Sequence, residues 1–297
     1  MKVFVTGAAG QLGYDVLKAL TVRGHEAIGT DIAAAEPFIP LDITDAAAVS
    51  AALADIRPDA VIHCAAWTAV DLAEEPENAA AVHAVNVDGP RNLAMACKAI
   101  GAKMLHISTD YVFDGSGDMP WQADSTDCAP LSVYGKTKLA GERAVAETLA
   151  EHFIVRIAWA FGVNGKNFVR TMLNVGRKVP VLRVVCDQIG TPTYTHDLAR
   201  LLVDMIETDK YGCYHATNEG GYISWYDFAC EILRQAGIET PVIPVTTAEY
   251  GLAKAMRPVN SRLDKSKLLT AGFTPLPPWQ DALARYLKEI GETRAKE

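Results

Sequence analysis

The sequence lacks what several functional classes require. Its 297 residues carry 28 Lys and Arg against 36 Asp and Glu, a formal net charge of -8 with a pI near 5.4. No basic stripe of the kind left by duplex binding interrupts that acidity, so a nucleic-acid partner is not expected. Cysteine is sparse: Cys64, Cys97, Cys128, Cys186, Cys213 and Cys230 form no Cys-x-x-Cys pair and no Cys/His cluster at zinc spacing. A disulfide scaffold and a zinc site are thereby set aside, and the six read as buried, reduced thiols of a cytosolic protein. Long apolar runs are missing too. The N-terminal Val3-Phe4-Val5 gives way at once to glycines, too short for a signal peptide or a bilayer span, so no membrane contact and a cytoplasmic location are expected. Internal repeats and low-complexity tracts are also absent. What remains is an ordinary globular balance, 49% hydrophobic and 22% charged, sufficient for one large domain or two interlocked ones.

The apolar pattern has a strand–helix rhythm. Residues 2–6 are a short β-branched run that stops at glycines, and residues 11–23 then set Leu12, Val16, Leu17 and Leu20 on one helical face, with Gly24 as the stop. Strands follow at 26–30, ending at Asp31, and near 38–41, before a helix that Thr44 or Asp45 can cap. Apolar runs at 59–65 and 102–108 flank a long helical stretch over 76–100; a helix at 134–149 and a strand at 154–157 follow. Apolar strands alternating with helices predict a parallel sheet covered on both faces. The expected fold is α/β, a Rossmann-type doubly wound sheet over 1–157. A returning segment near 186–210 joins it. From Ala158 onward Gly, Pro and Asn interrupt the pattern, and 158–185 with 211–297 are assigned to a smaller, partly interleaved substrate lobe. That lobe is expected to hold helices at 224–236 and 280–290, with a frayed tail at 291–297.

The first strand–helix junction reads Thr6-Gly7-Ala8-Ala9-Gly10-Gln11-Leu12-Gly13. A helix N-terminus there presents free N–H groups to a pyrophosphate. Gly7 permits the tight turn, Gly10 admits the cofactor to the backbone, and Gly13 lets the helix pack closely on the sheet. The three-residue spacing resembles that of short-chain dehydrogenases. Asp31, about twenty residues on, is placed to accept from the adenosine ribose hydroxyls and to repel a 2′-phosphate, which favours NADH over NADPH; a solvated loop acid is the plainer reading. Asp42 and Ile43 either flank the adenine or form a simple turn.

Tyr134 and Lys138 stand four residues apart at the start of a helix and so project from one face. A phenol titrates near pKa 10, and the Lys138 ammonium is expected to lower that value while holding cofactor ribose hydroxyls. Ser108-Thr109 closes the preceding strand, where a hydroxyl can orient a substrate carbonyl. Together these groups suit hydride transfer with concerted proton donation.

At this point the sequence resembles the dTDP-4-dehydrorhamnose reductase family, of the extended short-chain dehydrogenase/reductase type. The resemblance rests on the glycine string and on Ala65-Ala66-Trp67-Thr68-Ala69-Val70-Asp71. It rests further on Ser108-Thr109-Asp110-Tyr111-Val112-Phe113-Asp114-Gly115, Tyr134-Gly135-Lys136-Thr137-Lys138 and Arg257-Pro258-Val259-Asn260-Ser261-Arg262. The resemblance implies a catalytic trio of Thr109, Tyr134 and Lys138, with Ala65, Ala66, Thr68 and Ser108 along the cofactor and Tyr111 near the sugar. It implies reduction of the C4 keto group of dTDP-6-deoxy-L-lyxo-4-hexulose to dTDP-L-rhamnose, with NADH or NADPH. Asn167, Arg257 and Arg262 match segments that approach the nucleotide-sugar; either arginine can grip the diphosphate or sit at the surface. Trp159 is read equally as a stacking platform or as core packing. His63 and His106 are expected in the core, and His196 is expected to start a helix. Where the family commonly has His, this chain has Trp67, which loosens the inference to one particular sugar. A homodimer and an interfacial magnesium ion are features of some relatives; Asp15 stands in the region of one ligand, and no metal is predicted. Two other readings share these motifs: a nucleotide-sugar epimerase or dehydratase that keeps its cofactor bound, and a non-catalytic regulatory subunit like the one serving methionine adenosyltransferase.

Overall fold

The computed structural model describes residues 1–33, 36–251 and 254–292. Seven parallel strands form its main sheet: β1 (Lys2–Thr6), β2 (Glu26–Asp31), β3 (Ile39–Pro40), β4 (Ala60–His63), β5 (Lys103–Thr109), β6 (His152–Ile157) and an edge strand, Gly212–His215. They lie in the order edge strand, β6, β5, β4, β1, β2, β3. The order reverses beside β1, so a crevice opens at the carboxyl ends of β1 and β4, where open α/β sheets bind ligands. The helices include α1 (Gln11–Val22), α2 (Ala46–Ile56), α3 (Ala79–His83), α4 (Gly89–Ile100), α5 (Val133–Thr148), α6 (Phe168–Gly176), α7 (Thr195–Ile206) and α8 (Trp225–Ala236), then two short ones at Thr247–Tyr250 and Ser266–Thr270 and a last helix at Trp279–Glu289.

Alternation along β1 divides the core. Val3 and Val5 pack with Leu12, Val16 and Leu20 of α1 and Leu198, Leu202 and Met205 of α7. Phe4, facing the other way, meets Val49 and Leu53 of α2 and Leu93 and Cys97 of α4. The second lobe has its own aromatic core of Phe161, Tyr194, Phe228 and Tyr286.

Three expectations are corrected. The stretch at 76–100 is broken into a 3-10 turn (Pro76–Asn78), α3, a wide π-type turn (Ala84–Asp88) and α4. The break occurs where buried Asn86 turns its amide to the neighbouring loop and accepts from Trp67 N at 2.9 Å. Secondly, the returning segment runs past residue 210: Gly212–His215 pairs with β6 at the edge of the main sheet, and Leu268, Phe273 and Leu276 pack under it. Thirdly, all six cysteines are free, yet only Cys97 is fully buried. The tail beyond residue 292 lies outside the described residues.

Candidate active site

A cavity of about 710 Å³ occupies the crevice. Its floor begins at the glycine turn. Gly7 has φ +66, and a Cβ there would sit 2.7 Å from Ala65 N, while a Cβ on Gly13 would run into the Gly7 carbonyl. Two backbone segments thus approach more closely than any side chain permits, leaving the N-terminus of α1 bare and cradle-shaped, the form a pyrophosphate requires. Gly10, Gln11, Leu12, Asp31, Asp42, Ile43, Ala65, Ala66, Thr68 and Ser108 line the same cavity, as do Thr109, Tyr111, Tyr134, Lys138 and Trp159. Asp31 is anchored by accepting from Ala9 N at 3.0 Å and Ala33 N at 3.2 Å. Asp42 accepts from Thr44 N and Oγ1 at 2.9 and 2.8 Å, so it serves a turn as well as the cavity wall.

The proton-handling groups converge from β5 and α5. Ser132 caps α5 by accepting from Gly135 N at 3.1 Å, a bond worth about 1 kcal/mol, and this fixes the helical turn that carries Tyr134. The Tyr134 and Tyr111 rings meet edge to face at 5.4 Å. Thr109 Oγ1 donates to Asp110 Oδ1 at 2.9 Å. Burial pushes Tyr134 up to about 12, with a hydrogen bond to Thr109 pulling the other way. The expected acidification of the phenol by Lys138 is not seen: burial is the largest influence on Tyr134, and Lys138 is not among the groups that shift it. Lys138 Nζ donates instead to Ile107 O at 2.7 Å, and burial lowers it to about 8. Its neighbour His106 stacks on His63 at 5.1 Å; burial lowers both imidazoles, so they are neutral core residues, His63 sharing a hydrogen bond of 2.7 Å with Thr6 Oγ1. Asp110 was not singled out from the sequence. It lines the cavity, and burial raises its carboxyl to about 6; its only local signal is an acid directly after an apolar strand.

The glycine turn is also braced from the second lobe. Gln11 Oε1 accepts from Gly162 N and Asn167 Nδ2, both at 3.0 Å, and Asn164 Nδ2 donates to Ala9 O at 2.7 Å. The three expected substrate residues Asn167, Arg257 and Arg262 are not among those lining this cavity. Asn167 caps α6, accepting from Arg170 N at 3.0 Å, while its amide serves Gln11. Arg257 is held by Asp71 in a two-pronged ion pair, at 2.8 and 3.2 Å. Arg262 donates to Asn260 Oδ1 at 3.0 Å. Trp67 forms part of the cavity wall, and His196 lies in the first turn of α7. Asp15 is buried and accepts from Thr195 Oγ1 at 2.5 Å. Among the described residues no group of three or more His, Cys, Asp or Glu is arranged to hold a metal.

Residues 1–292 match the family profile described as RmlD substrate binding domain. The chain belongs to the dTDP-4-dehydrorhamnose reductase family. Within that family it is 46% identical over 288 residues to the dTDP-4-dehydrorhamnose reductase of Streptomyces griseus, covering 94% of this chain and 90% of that protein. Among solved structures, a dTDP-4-dehydrorhamnose reductase from Clostridium acetobutylicum superposes with a TM-score of 0.92 at 42% identity, covering 98% and 100% of the two chains. The family's enzyme from Bacillus anthracis, solved in complex with NADP, gives 0.90 at 39% identity, over 97% and 100%. No helix among the described residues is long and apolar enough to cross a membrane.

Proposed function

We propose that this protein reduces the C4 keto group of a dTDP-linked 6-deoxy-hexulose, forming dTDP-L-rhamnose, with NADH as the preferred nicotinamide cofactor. The observation that carries this reading is the single cavity in which a glycine cradle, Thr109, Tyr134 and Lys138 meet. Bound NAD(P)H supplies the hydride. Tyr134, still a phenol at neutral pH, donates the proton that the new alkoxide requires. Thr109 holds the carbonyl oxygen in line with that phenol, and the Lys138 ammonium, fixed on the Ile107 carbonyl, offers its remaining N–H groups to ribose hydroxyls. Thr109 and Tyr111 line the cavity beside the phenol, where a sugar would meet it. Pure protein given dTDP-6-deoxy-L-lyxo-4-hexulose should consume NADH stoichiometrically; cofactor that remains reduced while the sugar epimerises would speak for an epimerase instead.

The preference for NADH rests on Asp31, whose carboxylate is pinned in the cavity wall by two backbone N–H groups. A 2′-phosphate there would meet a fixed negative charge. Asp31→Ala should shift the ratio of kcat/KM for NADPH over NADH upward about tenfold or more, one charge contact being of that order. An unmoved ratio removes Asp31 from the ribose site.

The pH profile follows from Lys138. Its folded value, about 8, lies below the ordinary 10.5, so between these values the unfolded chain binds the proton more tightly and the group's contribution to stability rises with pH. Activity runs the opposite way, because the ammonium is the working form. We expect kcat/KM to fall above pH about 8 with Tm showing no parallel loss from this group; a profile flat to pH 10 would contradict the role given to Lys138.

A further inference from the structure

Trp159 is one of two residues other than glycine with positive φ among those described, at +49. A bulky side chain in the left-handed region is strained, and such strain persists only where the surroundings over-determine it. Two neighbours do so here. The indole of Trp225, in the first turn of α8, stacks on that of Trp159 with centroids 3.7 Å apart and planes at 16°. Gly190 lies against its edge, where a Cβ would come within 3.0 and 3.1 Å of Cε2 and Cζ2. Trp225 is backed in turn by Phe168 at 4.5 Å, and Ser224 and Asp227 close a capping box at the start of α8 that fixes where Trp225 stands. Trp159 lines the cavity, whereas Trp225 and Gly190 do not; they hold the indole from behind.

We infer that Trp225 and Gly190 are positioning residues that set the Trp159 indole in advance as a rigid wall of the sugar side of the cavity. The chemistry that such a wall recognises is the apolar C–H face of a pyranose ring, which packs on an aromatic plane without needing a hydrogen-bond partner. A preset indole costs no ordering on binding, so its support acts on sugar affinity and leaves the dinucleotide crevice alone. Trp159, Gly190 and Trp225 come from three separate segments of the chain. The inference rests on the function proposed above for the substrate it names.

The test is a comparison of Trp225→Leu, Trp225→Phe and Gly190→Ala with the unaltered enzyme. Trp225→Leu should raise KM for the dTDP-keto-sugar roughly threefold to tenfold, the size of one lost aromatic pair. The change in kcat should stay within about twofold and the Kd for NADH should be unmoved. Trp225→Phe should restore KM, and Gly190→Ala, which crowds the indole without opening the core, should raise it. Stacked indoles also couple their transitions, so the unaltered protein should give a split circular-dichroism band that Trp159→Phe and Trp225→Leu both abolish. An unchanged KM in a folded Trp225→Leu variant, or KM and the NADH Kd rising together, overturns the inference. If the unaltered protein turns over no keto-sugar nucleotide, the proposed function fails, and the paired indoles then stand or fall on the split band alone.

Discussion

Replacing Tyr134 with phenylalanine is expected to lower kcat at least a hundredfold, the usual lower bound of a positioned acid's contribution being about that size, while the Kd for NADH stays within about twofold. The two effects separate because the ring and the hydroxyl do different things. The ring packs edge to face on Tyr111 and is half-buried, and phenylalanine preserves that packing. The hydroxyl is the proton source. Thr109 cannot take over, since an aliphatic hydroxyl is far too weak an acid to give up its proton, and Lys138 is turned to the Ile107 carbonyl. Steady-state kinetics with cofactor fluorescence titration checks both halves; turnover within a few-fold of the unaltered protein would remove Tyr134 from the proton-donor role.

The largest loss of stability is expected from separating Glu142 and Arg156. Arg156 donates through Nε and a terminal nitrogen to the two carboxylate oxygens of Glu142, at 2.9 and 2.7 Å. The two residues are only 5% and 4% exposed, so each charge depends on the other. Glu142→Leu strands a buried guanidinium and should cost about 3–5 kcal/mol, read as a lower denaturant midpoint. The double variant Glu142→Leu with Arg156→Met should recover most of that loss, because it removes both charges together. A single-variant loss below about 1 kcal/mol, within the range of an exposed ion pair, would contradict the buried-pair account. The pair also ties α5 to β6, and α5 carries Tyr134 and Lys138. Glu142 further favours the Lys138 ammonium, so the single variant should move the alkaline limb of kcat/KM to lower pH.

What the sequence made legible was local. The strand–glycine–helix start, the capping of α2 by Asp45, the four-residue spacing of Tyr134 and Lys138, and the strand ending at Thr109 are each written in a window of a dozen residues or fewer. Periodicity and turn chemistry reach that far. What escaped depends on partners far along the chain. Gln11 meets Gly162 and Asn167 across more than 150 residues, and nothing near position 167 shows that its amide is spent on the glycine turn. The ion-pair partner of Arg257 escaped because its carboxylate, Asp71, lies 186 residues earlier. The edge strand Gly212–His215 is four residues long and is placed by pairing with β6, not by any pattern of its own. The direction of the Tyr134 shift escaped for another reason: two residues facing the same side do not reveal which of burial and charge prevails.

The central claim is tested most directly by following one hydrogen. With NADH deuterated at C4 on the transferred face and dTDP-6-deoxy-L-lyxo-4-hexulose as substrate, NMR of the isolated product should show dTDP-L-rhamnose with deuterium at C4 of the sugar and one NAD formed for each. A product without that deuterium, or a sugar recovered still as the ketone with cofactor bound and unchanged, would contradict the account.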